Sequence, residues 1–447
     1  MFDAIERSQP RIISASTFNS LEPAATKQTR STRKPQSLAA GLLVAASIIP
    51  ASAQGRAVLL PKPAMDLSYH AKVVNVDLGR SQNARPHSNF RFVNIADSTN
   101  GFTAFSTFPA INNHGAVAFE ASVPGGDGIF KSQDGAVTTI AQSSPGGFGL
   151  FGRDPVINEA GTVAFGANIG TAAGIFTSDG TTTKTIVNTL DQGLIARFLG
   201  SPSINRSGEV AFFATRNGFT SQAIFVGNGG PLSTVLDTAT SDFNSLQNVA
   251  INASGEIVFV AGTTDILAGM FILDPRKDLK QNGKNPDNQL IDIVDTNNPA
   301  FGGFGDPVIN KLGTVANDVF SNGINSEILS GNQNGITPRT DFLNDIFHSF
   351  EHPSINDSDA VAFFAIKTDG TSGVFVVLAE GASPVPVIQT GDPLFGSTVT
   401  EVDLGRFALN NKFQMAFQYT LQDGRSGVAI ASLQPDRRPQ YLDEDDQ

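Results

Sequence analysis

PSINRSGEVAFFA, residues 202–214, returns 151 positions later as PSINDSDAVAFFA, residues 353–365. The shared letters set a register that the rest of the chain repeats: Ile or Leu, Asn, two variable residues, Gly, then an apolar run ending in Phe. It occurs as INNHGAVAF (111–119), INEAGTVAF (157–165), INRSGEVAF (204–212), INASGEIVF (251–259), INKLGTVAN (309–317), INDSDAVAF (355–363) and LNNKFQMAF (409–417). The asparagines stand at 112, 158, 205, 252, 310, 356 and 410, in steps of 46, 47, 47, 58, 46 and 54 residues. A period near 47 over seven copies is the signature of a repeat architecture.

The residues between the copies define the unit. A second short run follows each Phe (GIF 128–130, GIF 174–176, AIF 223–225, GMF 269–271, GVF 373–375), and then a third (VTTIA 137–141, KTIVN 184–188, STVLD 233–237, LIDIVD 290–295, VPVIQ 385–389). All are short, β-branched or Phe-rich and bounded by turn residues, with no helical period. Asn-x-x-Gly between two of them reads as a hairpin: Asn caps a type I turn with its side chain, and Gly takes the positive φ that closes it. Four strands per unit and seven units predict an all-β chain folded as a seven-bladed β-propeller of four-stranded blades. An open β-solenoid and two smaller propeller-like domains are the alternatives. The last unit lacks a fourth strand, and Phe90–Ile95 has that type, so an N-terminal strand is expected to close the ring and hide its edges. The departures are Asp359 and Phe413 in place of the turn Gly and Asn317 in place of the core Phe. They predict a different turn at Phe413 and an irregular fifth blade.

The repeat resembles a family of bacterial exported proteins named for tandem NxxGxxAF repeats, over about residues 90–432. The resemblance implies export and a propeller-like repeat architecture. It implies no catalytic residue, because its motif is structural, and the family's C-terminal sorting anchors have no counterpart here.

Bulk properties agree. Of 447 residues, 40% are hydrophobic and 16% charged, with 44 Gly, 34 Phe, no Trp and no Cys. Without Cys there is no disulfide and no thiolate chemistry. The net charge of −12 argues against a nucleic-acid partner, which needs Lys and Arg for the phosphates. Residues 37–53, SLAAGLLVAASIIPASA, follow a basic cluster and end in Ala-Ser-Ala, the layout of a signal peptide. The expected organisation is therefore a signal peptide at 1–53 with a long n-region, an extension at 54–89, the propeller at 90–432 and a polar acidic tail at 433–447. The mature chain is expected to be extracellular or periplasmic, monomeric and without a membrane span.

Candidate chemistry centres on one position. Asp154, Ser201, Asp306 and His352 all stand four residues before a turn Asn, where each blade's first strand would line the central channel. Carboxylates at such a mouth suit Ca²⁺, which takes several oxygen ligands. Glu351 and His352 belong to His348-Ser-Phe-Glu-His352, an H-x-x-E-H string that binds zinc only on a helix; Pro353 and the strand register argue for a loop or strand instead. Asp154, Asp306, Glu351 and His352 are thus the ligand-binding candidates at the channel mouth, with no catalytic residue, metal or cofactor assigned beyond the Ca²⁺ reading. The functional expectation is an exported, non-enzymatic binding or scaffold propeller for a protein or cell-envelope partner. A hydrolase or lyase with its site at the channel mouth and a structural surface protein are the alternatives.

Overall fold

The structure, a computed structural model, describes residues 89–434 apart from 107, 191–193, 277–289, 322–325 and 341–345. The expected signal peptide, nearly all of the 54–89 extension and nearly all of the tail lie outside the described residues. Among those described, no helix is long and apolar enough to cross a membrane.

The strands gather into seven antiparallel sheets, one per repeat. In chain order these are blade 1 (104–142), blade 2 (148–188), blade 3 (195–237), blade 4 (243–295), blade 5 (301–338), blade 6 (347–389) and blade 7 (393–433 together with 90–97). The N-terminal strand Phe90–Asp97 pairs with Ser426–Leu433 as the outer strand of blade 7, Phe90 opposite Leu433 and Asp97 opposite Gly427. The closure anticipated from the missing fourth strand is present.

Each repeat asparagine is buried and bonded on all sides. In blade 1, Asn112 Oδ1 accepts from the backbone N–H of His114 (3.0 Å) and Ala116 (2.9 Å), which holds the turn. Its Nδ2 then donates to the carbonyl of Asn158 in blade 2 (3.0 Å). The same donation runs from Asn158 to Asn205 (3.2 Å), Asn252 to Asn310 (3.0 Å), Asn310 to Asn356 (3.0 Å), Asn356 to Asn410 (3.3 Å) and Asn410 back to Asn112 (2.9 Å). Asn205 instead donates to Glu209 (2.7 Å). One residue type therefore makes both the hairpin and the blade-to-blade stitch, and that is why the repeat keeps it.

The turn at Phe413 corrects the sequence expectation. Phe413 takes φ 56°, beside 77–85° for the turn glycines and 58° for Asp359. Its N–H bonds to Asn410 O (3.1 Å) as the glycines bond to theirs. The turn is conserved in shape, and burial of the Phe413 ring in the blade 6–7 core offsets the cost of a left-handed side chain.

The Phe of each copy builds the core. It stacks on a Phe of the third strand in blades 1, 2, 3, 4 and 6, with centroids 5.5–6.0 Å apart and planes within 19–29°. A further Phe from the first strand or its approach stands edge-on to the pair, as Phe243 does to Phe271 (5.0 Å, 70°), an arrangement the ring quadrupoles favour. Blade 5 breaks the pattern as expected. Asn317 faces Leu329, is 0% exposed, and neither polar atom of its amide has a partner. The first strand of this blade is also split, into Phe301–Phe304 and Val308–Ile309, although blade 1 shares that split. Asn317→Leu, of similar shape, replaces two orphaned polar groups among Val315, Val319 and Leu329. It is expected to raise unfolding stability by about 1–3 kcal/mol; denaturant midpoints would show it, and an unchanged or lower midpoint would refute it.

Candidate functional site

The first strand of every blade leaves its ladder four residues before the turn asparagine. The register shifts between Gly152 and Val156, Leu199 and Ser203, Gln247 and Val249, Glu351 and Ser354, and Leu404 and Leu409. In blades 1 and 5 the strand is interrupted there instead. Proline explains most of this: Pro109, Pro155, Pro202, Pro307 and Pro353 follow the position and cannot donate to a ladder. The full set is Phe108, Asp154, Ser201, Asn248, Asp306, His352 and Arg406, a ring of seven around the channel. Asn248 (φ 24°) and His352 (φ 53°) hold left-handed backbone there, strain of the sort that collects at sites.

The ring is cross-bonded. Ser201 Oγ donates to Asp154 Oδ2 (3.0 Å), and Asn248 Nδ2 donates to Asp306 Oδ1. Arg406 of blade 7 is buried and reaches across to blade 4, where a guanidinium N–H donates to Val249 O (2.8 Å); its other terminal nitrogen lies 3.8 Å from Asp306 Oδ2. Phe407, beneath that guanidinium (5.1 Å), packs on the apolar clusters of blades 1–2, 2–3, 4–5 and 5–6. Arg406 and Phe407 line a gap of only about 10 Å³ at this level, beside Phe108, Asp154 and Ser201.

Three of the four candidate residues meet in one cleft. A cavity of about 360 Å³ between blades 5 and 6 is lined by Asp306, Asp318, Phe320, His348, Glu351 and His352, among others. Asp318 is almost fully buried and receives the Asp306 N–H (3.2 Å). Its carboxylate lies where a Cβ on Gly305 would be, so the glycine of the GFGDP connection makes room for it. Burial pushes the Asp318 pKa up to about 7, and the charges of Asp306 and Glu351 add to this. Asp403, in a neighbouring cavity of about 240 Å³ between blades 6 and 7, is raised to about 6 by burial, with His352 pulling the other way. Glu120, one position after the repeat Phe in blade 1 as Asp318 is in blade 5, is raised to about 7 by burial.

Asp154 does not join the cleft. It belongs to blade 2, bonded to Ser201 and to the Phe108 N–H (3.4 Å), and reaches Asp403 and Glu120 only through its charge. The H-x-x-E-H string lies on strand Phe347–Ile355, where residues four apart are about 13 Å apart in extended chain, so it has no helical zinc geometry. His352 packs at a tilt against Phe108 (4.4 Å, 49°), and its Nδ1 is buried without a partner. Among the described residues no group of three or more His, Asp or Glu side chains is gathered at metal-ligating range, and the Arg406 guanidinium is the cation that stands beside Asp306.

Comparison with known proteins bears on the fold. The profile of a family described as "Family of unknown function (DUF7453)" matches residues 111–366, more than half of the chain. No curated protein matches the sequence at a significant level. Among solved structures, an oligogalacturonate lyase in complex with manganese is 10% identical with a TM-score of 0.51, covering 79% of this chain and 98% of that one. An oligogalacturonate lyase from Vibrio parahaemolyticus is 11% identical with a TM-score of 0.50, covering 78% and 98%. A structure from a study of two prolyl endopeptidases is 12% identical with a TM-score of 0.48, and this chain spans about half of its length (51%). At such identities the likeness to the two lyases shows a shared fold and nothing of the chemistry.

Proposed function

Since the chain belongs to this family of unknown function, its role is read from its own site, and we propose an exported, non-enzymatic binding module, a monomer that holds a cationic group of an extracellular or cell-envelope partner in the cleft between blades 5 and 6. Export rests on the signal-peptide layout of residues 1–53. The observation that carries the binding reading is the surplus of acid in one cleft. Asp306, Asp318 and Glu351 line it, while the one guanidinium beside it, Arg406, donates to Val249 O (2.8 Å) and meets only Asp306, at 3.8 Å. Burial is the main cause that raises Asp318, and the charges of Asp306 and Glu351 add to it; an ammonium or guanidinium entering the cleft would offset that added repulsion.

The test is calorimetric titration with pentalysine. Binding is expected at pH 8 and weakens at least about tenfold by pH 5, as Asp318, raised to about 7, and Asp403 of the neighbouring cavity, raised to about 6, take up protons. Asp318→Asn should weaken it similarly at pH 8 while folding normally, because burial already disfavours the charge it removes. The raised folded pKa means that wild-type stability is lost as pH rises from about 4 through 7, and the variant escapes that loss. Affinity indifferent to both pH and Asp318 would refute the reading.

One observation favours a second reading, a hydrolase or lyase acting in the same cleft: a carboxyl poised near pH 7 beside two histidines suits general acid–base work. Turnover of any oligosaccharide or peptide that disappears in Asp318→Asn would replace the first reading with this one.

A further inference from the structure

The antiparallel order of each blade puts the seven asparagine turns on one face of the ring. The hairpins between second and third strands, together with the connections between blades, form the other face, where the cleft opens. The two faces differ in character. The most exposed large apolar side chains are Leu267 (80%), Leu190 (71%), Leu150 and Phe219 (both 70%), Leu312 (68%), Ile346 (52%) and Phe320 (49%). Leu312 lies in an asparagine turn; the other six are on the cleft face.

Their positions follow from the strand ends. Phe219 and Leu267 sit in the second-to-third-strand hairpins of blades 3 and 4. Leu190 follows the last strand of blade 2, whose end is tied to the start of the third by Thr189 N–H to Ala173 O (2.9 Å). Ile346 precedes blade 6 and accepts from Thr368 N–H at that blade's hairpin (2.9 Å). Phe320 lines the cleft itself. The apolar tips thus form an arc over blades 2 to 6 that runs into the acidic cleft. Over blade 7 the face is polar instead, with Asp423 and Arg425 paired at the hairpin (2.7 Å). Scattered single apolar residues need no explanation, whereas an arc on one face beside a charged cleft does.

We infer that this face docks a polypeptide segment carrying a Lys or Arg flanked by apolar side chains, the basic group entering the cleft between blades 5 and 6 and the apolar residues lying on the arc. The inference rests on the cationic-ligand reading above and adds the partner's class. Charge complementarity selects it: a net charge of −12 and a carboxylate-lined cleft repel anionic lipid, which an apolar rim alone would suit. The arrangement is a charged anchor site with an apolar surround that excludes water from it.

The experiment compares two probes, pentalysine and a short peptide of alternating Lys and Leu, titrated into the whole chain at physiological salt. The Lys-Leu peptide is expected to bind at least about tenfold tighter. The double variant Phe219→Ser with Leu267→Ser removes two exposed side chains, so folding is unaffected; it should abolish that advantage and leave pentalysine binding unchanged. Equal affinities for the two probes, or an advantage that survives the double variant, overturn the inference while leaving the cationic site standing. If pentalysine itself fails to bind, the underlying reading falls instead. Binding to phosphatidylglycerol vesicles that is lost in the double variant would mark the arc as a membrane surface. A concentration-dependent dimer abolished by it would mark a self-contact. Either result overturns the inference.

Discussion

A chain lacking residues 90–97 is expected not to form a stable ring. That strand supplies the outer edge of blade 7. It also brings Phe90 into the blade 6–7 core, the Phe92 ring edge-on to Phe417 (6.0 Å, 88°), and Asn94 Oδ1 to accept from the Tyr419 hydroxyl (3.0 Å). Each buried large apolar side chain is worth about 1.5–3 kcal/mol, so the loss approaches the whole stability of an ordinary domain, about 5–15 kcal/mol. The strand Ser426–Leu433 would be left as an open edge, a template for aggregation. Thermal unfolding and sedimentation should show a large fall in Tm and oligomers, and a synthetic peptide of residues 89–98 should restore the monomer in part. A truncated chain that melts within a few degrees of the full one would show that closure contributes little.

The second large effect is expected at Asn410, the asparagine at the seam between the last blade and the first. Its Oδ1 accepts from Lys412 N–H (2.9 Å) and Gln414 N–H (3.0 Å), and its Nδ2 donates to Asn112 O (2.9 Å) and Gln414 Oε1 (2.8 Å). Asn410→Ala leaves the N–H groups of Lys412 and Gln414 without their side-chain acceptor and cuts the buried stitch across the seam. At about 1–3 kcal/mol for each unsatisfied buried group, the loss should be about 3–5 kcal/mol in denaturant unfolding. Lys311→Ala, at an exposed variable position of another such turn, should stay within about 0.5 kcal/mol. Comparable effects of the two would mean that the asparagine acts only within its own turn.

The fold was legible because it is written in local chemistry. Asn-x-x-Gly encodes a hairpin by its own side chain and φ, and the period of about 47 residues counts the blades. The same letters concealed the second use of each asparagine, since the acceptor belongs to the next repeat and only the ring brings it near. Phe413 was misjudged for a related reason: its φ of 56° is unfavourable locally, and the compensating burial comes from blades 6 and 7 together. In the site, the shared position before proline was readable, so Asp306 and His352 could be named. Asp403, Arg406 and Phe407 could not, because each is a deviation found in one copy, and Asp318 could not, because its carboxylate recurs in only one other. The one hint was a carboxylate, Glu120 and Asp318, after the repeat core in blades 1 and 5, where other copies have Gly166, Phe213, Val260, Phe364 and Gln418.

The pairing of Phe90 with Leu433 has a mechanical consequence. The first and last strands of the ring are antiparallel neighbours, and both lead out of the propeller at the same corner of blade 7. Tension applied between them would peel the ladder open one pair at a time, Phe90–Leu433 first, rather than load all its hydrogen bonds in shear. A propeller stitched by asparagines at six of its seven blade junctions thus yields to a pull at this strand pair. If it works under force, it will hold better when gripped by a single end.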